Sequence, residues 1–115
     1  MAVLRSETRN QVLLSDLKVA RRFFERGKGL LGRMTLPANE ALWILRCNSI
    51  HTFFMMFPID CVFVNRNLEV KALRRNVVPW RMVFPIWGAS SVIEMAAGSI
   101  DRLEIKTGEK LHVGA

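Results

Sequence analysis

Cysteine, histidine and acidic residues are all scarce in this 115-residue sequence, and each shortage excludes a class of protein. The two cysteines, Cys47 and Cys61, could form at most one bridge. Neither lies in a C-x-x-C pair, so zinc-ribbon and thioredoxin-like folds have no support. The only histidines, His51 and His112, are far apart and form no H-x-x-x-H pair, so no metal site and no cofactor is expected. The longest uncharged apolar run, Phe53 to Ile59, is far below the roughly 18 residues of a membrane span. Met1 to Glu7 meets charge before any leader-type apolar region can form. Two thiols without a leader lead us to expect a cytoplasmic protein. There is no internal repeat, low-complexity tract or block of five like charges.

Ten acids face seventeen Lys and Arg, a formal charge of +7 with a pI near 10.5. Such a balance favours anionic partners but does not specify a fold. Half of the residues are apolar and 23% are charged, which excludes a disordered chain. The length suits one domain with one core, over residues 11–115, behind a polar and frayed start over residues 1–10.

Strand signals dominate. They fall at Val12 to Ala20, Ala41 to Arg46, Ile59 to Val64, Leu68 to Leu73, Ser91 to Met95 and Lys110 to Val113. Asn65-Arg66-Asn67 reads as the turn of a hairpin. Phe23, Gly27, Leu30 and Met34 recur at helical spacing, which predicts a short amphipathic helix over Arg21 to Met34. Ile100 to Ile105 suggests a second helical turn. The fold class is therefore mainly β with short helices (α+β). Val77 to Gly88 is a long apolar connection carrying Pro79, Trp80, Pro85 and Trp87, folded over the core or used for binding.

Asp60 is the only charge between Phe53 and Val64. A buried carboxylate must be paired, hydrogen-bonded or protonated, because an isolated one costs several kcal/mol. His51, Arg33 and Arg46 are its candidate partners, and capping of backbone N–H groups is the structural alternative. His51 stands where small polar residues give way to aromatics, as at a pocket edge. With Cys47 as nucleophile and Asp60 as orienter it could serve hydrolysis, although Cys and His four apart is a weak pattern. Glu94, between Ile93 and Met95, is either an ordinary strand residue or a second carboxylate near Asp60. Gly27-Lys28-Gly29-Leu30-Leu31-Gly32 spells G-x-G-x-x-G without the flanking strand or the later acid of a dinucleotide fold. Arginine patches beside Trp80 and Trp87 raise nucleic-acid binding as a minor alternative, and a solvated basic surface is preferred.

The segments Arg26 to Arg33, Cys47 to Asp60, Val92 to Gly98 and Gly108-Glu109, in that order, resemble a bacterial and archaeal family known as domain of unknown function 192. The resemblance runs from about Leu17 to Val113, and its central segment is the specific part. It implies a β-sandwich or jelly-roll-like barrel with a helix on the N-terminal side, and no established reaction or cofactor. Its signature carries over to Gly29, Leu30, Arg33, Met55, Pro58, Asp60, Glu94 and Gly98. The chain departs at Met56, where a basic or polar residue is common, at Cys61 and at Glu109. A bacterial member of the cytoplasmic branch is expected.

The leading expectation is a small domain that binds a small ligand or protein partner without chemistry, through Val77 to Gly88 and the His51–Asp60 segment. Arg33, Met55, Trp80 and Trp87 are the binding candidates, and Gly29, Leu30, Pro58 and Gly98 are structural. The rival is a hydrolase-like enzyme using His51 and Asp60, with Cys47 and Glu94 as further catalytic candidates.

Overall fold

The computed structural model describes residues 2–20, 33–53 and 55–114. The strands are β1 (Ala2–Ser6), β2 (Gln11–Ala20), β3 (Glu40–Leu45), β4 (Ile50–His51), β5 (Ile59–Val64), β6 (Val70–Val77), β7 (Met82–Val83), β8 (Ser91–Ala96) and β9 (Leu111–Gly114). One short helix, α1 (Ser99–Arg102), lies among the described residues. Seven strands form one sheet in the order β6-β5-β8-β3-β2-β1-β9, and β4 and β7 pair separately. Only β2 and β3 run parallel; every other neighbouring pair is antiparallel.

The two edges of the large sheet meet at one corner. The Val70 N–H donates to the Glu109 carbonyl at 2.9 Å, the Leu111 N–H to Leu68 at 2.9 Å and the Gly108 N–H to Val70 at 2.8 Å. The architecture is thus mainly β, as expected, but it is a curled half-barrel rather than two stacked sheets of a sandwich.

Side-chain alternation sorts the core into two layers. Leu14, Leu17, Val62, Ile93 and Met95 gather on one face with Leu4 and Ile100. Ile44, Ile59, Phe63 and Val92 gather on the other, covered by Ile50, Met55 and Val83. Both faces of β5 are occupied, which is why all six of its residues are buried despite its period-2 geometry. Cys61 joins the second layer as a small hydrophobe, and burial pushes its thiol well above the ordinary range, with Glu94 adding to the effect.

Within the start expected to fray over residues 1–10, Ala2–Ser6 instead form β1, paired with both β2 and β9, with Leu4 and Ser6 fully buried. The helix expected over Arg21 to Met34 falls on residues 21–32, which lie outside the described residues; Arg33 and Met34 are not helical. The glycine segment, with Gly29 and Leu30, also lies outside them.

Candidate functional site

Asp60 shares the parity of Val62 and faces the first core layer. It is 1% exposed. One carboxylate oxygen accepts the Asn76 N–H at 2.8 Å and the other accepts the Ile100 N–H at 2.9 Å. Asp60 therefore ties the end of β6 to the start of α1. The turn that aims the Ile100 N–H inward depends on Gly98, whose φ of 91° is a left-handed conformation that a Cβ would strain. Pro58 stands half-buried just ahead of β5.

The expected pairing of Asp60 with Arg33, Arg46 or His51 is replaced by these backbone donors. Arg33 instead grips Glu40 at 2.7 and 3.1 Å, and Lys18 reaches the same carboxylate at 3.1 Å. The Arg33 hydrogen bonds hold the Glu40 carboxyl down to about 2. These backbone N–H groups are already held in place by β6 and α1, so they meet Asp60 without ordering a further side chain.

His51 is exposed on β4, whereas Asp60 is buried and its two oxygens are taken by backbone N–H groups. Its ring stacks on Phe53 with centroids 5.1 Å apart, and Phe53 stacks on Trp80 at 5.8 Å. The Cys47 thiol donates to the Ser49 carbonyl at 2.8 Å. The structure thus brings His51 to an aromatic ladder, and the proposed Cys47–His51–Asp60 relay is not assembled around Asp60.

Glu94 is buried in β8 on the second face. Its neighbours across the sheet are Leu42 on β3 and Cys61 on β5. Among the described residues no hydrogen bond or ion pair meets its carboxyl, and burial pushes its pKa up to about 7. Met55, expected at a binding surface, is buried in the same core layer.

Pairing of β4 with β7 sets His51 opposite Met82 and Ile50 opposite Val83. Ile50 and Val83 point into the core, whereas His51 and Met82 point outward. The same alternation exposes Trp80 and Phe84, and the next turn exposes Trp87 to 96%. Trp80 adopts a φ of 67°, a costly conformation for a bulky residue that persists only where surrounding bonds enforce it.

Thr52 enforces it, and sequence reading missed this residue. Fully buried, Thr52 accepts the Trp80 N–H on its carbonyl at 3.0 Å and donates its own N–H to the Arg81 carbonyl at 2.8 Å. Its hydroxyl donates to the Val78 carbonyl at 2.7 Å and accepts the Arg81 N–H at 2.9 Å. A lone threonine beside aromatics carries no local signal of a turn that closes 26 residues later. Thr52→Val, isosteric without the hydroxyl, is expected to cost about 1–3 kcal/mol, read by urea unfolding. Amide exchange at Trp80 and Arg81 should quicken in the same variant; unchanged exchange would show that the backbone alone holds the turn.

A cavity of about 330 Å³ lies elsewhere, at the closing corner of the sheet, lined by Thr8, Arg9, Glu104, Lys106 and Glu109 among others. Glu109 there accepts from Ser6 and Arg9, and Arg9 also donates to the Leu103 carbonyl. Burial raises the Glu109 carboxyl, but these hydrogen bonds outweigh it and lower the pKa overall. None of the residues expected to form a site lines this cavity.

The matches to known proteins run along nearly the whole chain. A UPF0127 protein of Thermococcus sibiricus is 36% identical, covering 95% of this chain and 73% of its own length. One from Pyrococcus furiosus is 31% identical over 91% of this chain and 92% of its own. These relatives are archaeal, so they do not support the expected bacterial source. A protein of unknown function from Novosphingobium aromaticivorans superposes with a TM-score of 0.83 at 26% identity, covering 96% of this chain and 82% of that one. A Sinorhizobium meliloti protein described as a candidate transcription regulator gives 0.81 at 19% identity, over 97% of this chain and 91% of its own, a likeness of fold alone. The family model described as "Uncharacterized ACR", DUF192, matches residues 3–113, and the chain belongs to that family.

Proposed function

We propose that the protein is a binding domain acting without chemistry, and that its site is the outer side of β4 and β7 with the loop over residues 77–88. One observation carries this reading. The ladder His51–Phe53–Trp80, exposed at its two ends and half-buried at Phe53, is fixed by a buried threonine and by a strained tryptophan backbone. A chain that only needed to cover its core would bury these rings; holding large apolar groups outward costs stability and marks an interaction surface. The exposed set continues through Met82, Phe84 and Trp87. The occupant is a small ligand or a partner with an apolar face.

A cytoplasmic setting completes the proposal. Cys47 and Cys61 are not bridged to each other, which suits a reducing compartment. No helix among the described residues is long and apolar enough to cross a membrane.

Titration with a set of small aromatic fragments, followed by amide NMR, tests the site. Shifts should concentrate on His51, Phe53 and residues 80–87. Shifts centred instead on Glu94 or on the Glu109 cavity would move the site elsewhere and sink this reading.

A further inference from the structure

The segments that carry the aromatic face bear formal charges of one sign. Residues 71–93 contain Lys71, Arg74, Arg75 and Arg81 and no acid, and residues 46–59 contain Arg46 and no acid. Arg75 is spent on Asp101 at 2.9 Å. Three of the others flank the face. Arg81 sits between Trp80 and Met82, with its guanidinium on the Trp80 carbonyl at 3.4 Å. Lys71 runs alongside the Trp87–Gly88 turn, its Cε 3.6 Å from where a Gly88 Cβ would stand. Arg46 is exposed next to Cys47, whose N–H bonds Ser90, and the Ile86 N–H bonds Asn48 close by.

Resting on the binding face described above, we propose that this face docks on an anionic lipid bilayer surface. Phe84, 73% exposed, and Trp87 insert at the headgroup level, while Lys71, Arg81 and Arg46 meet lipid phosphates. Tryptophan and phenylalanine beside a cationic rim match the interface, where an apolar ring and a wet edge are both satisfied. Anionic headgroups supply the missing counter-charge. Single-stranded nucleic acid fits less well. Base stacking needs free ring faces; Phe53 is stacked by both His51 and Trp80, and Met56 and Met82 have no ring, which leaves Phe84 and Trp87 as the fully open stacking surfaces.

Sedimentation with vesicles of phosphatidylcholine alone, or in equal parts with phosphatidylglycerol, tests the proposal. The protein should pellet only with the anionic vesicles, and its tryptophan emission should shift to the blue. The double variant Phe84→Ala/Trp87→Ala, both at exposed positions, should keep its circular dichroism and lose about tenfold or more in vesicle affinity. Arg81→Gln should lose about fivefold and flatten the salt dependence. No binding to anionic vesicles, or binding that the double variant leaves unchanged, overturns the proposal. If vesicles fail but oligo(dT) or self-association responds to the double variant, the lipid occupant is wrong and the binding face stands. If vesicles, oligo(dT) and self-association are all indifferent to the variant, the binding face falls with it.

Discussion

Asp60→Ala is expected to lower the unfolding free energy by about 2–4 kcal/mol, because it leaves the buried Ile100 N–H and the part-buried Asn76 N–H without acceptors. Those donors, on Asn76 and Ile100, belong to different elements, so the loss unfastens α1 from β6 rather than a single bond. For a domain of this size the melting temperature should fall by roughly 15 °C. Asp60→Asn is the sharper variant. Its amide can accept one N–H but must turn its NH₂ toward the other, so a loss of about 2 kcal/mol or more is expected. Urea unfolding measures both. An Asp60→Asn protein within about 0.5 kcal/mol of the parent would show that Asp60 is not a structural clasp.

The second large effect concerns pH and Glu94. Its carboxyl is pushed to about 7 by burial alone, well above its value in an unfolded chain. The folded state therefore holds the proton more tightly than the unfolded state between about pH 4.5 and 7. Stability is full below that window and declines as pH rises through it, by about 3 kcal/mol in total. Glu94→Gln removes the titration. It should match the parent near pH 5, exceed it by about 2–3 kcal/mol at pH 8, and flatten the profile between. Leu42 and Cys61 flank Glu94 directly; Lys18 on β2 and Arg74 on β6 stand one strand further out in the same row. If either cation reached the carboxylate in solution, the decline would vanish and parent and variant would run parallel across the whole range.

The strands that position these residues were legible in the sequence to different degrees. β5 coincides with Ile59 to Val64, because a run apolar on both parities can only be a strand buried on both faces. β3, β8 and β9 lie within a residue or two of the expected runs. β1 was not legible. Ala2 to Ser6 is too short to show a period, and its partners are β2 and the far end of the chain. β4 and β7, two residues each, are likewise defined by pairing across some 30 positions. The isolation of Asp60 was plain, but its partners were not, since backbone N–H groups have no identity in a sequence. Trp80 and Trp87 stood out by composition; that Thr52 and a left-handed backbone hold the ladder outward emerges only from the folded turn.

The corner where the sheet edges meet also sets the order of folding. β9 must pair with β1, and the residues just before and within it must bond the start of β6. Three distant parts of the chain thus come together only when β9 is in place. Contacts between such remote segments are slow to form, because loop-closure entropy precedes any gain from them. On the ribosome, β2, β3, β5 and β8 can associate as they emerge, but the half-barrel completes only after the C-terminal strand has left the exit tunnel. Until then the open edges of β1 and β6 stay exposed to other chains, a period in which the arginines and lysine along β6 keep like molecules apart.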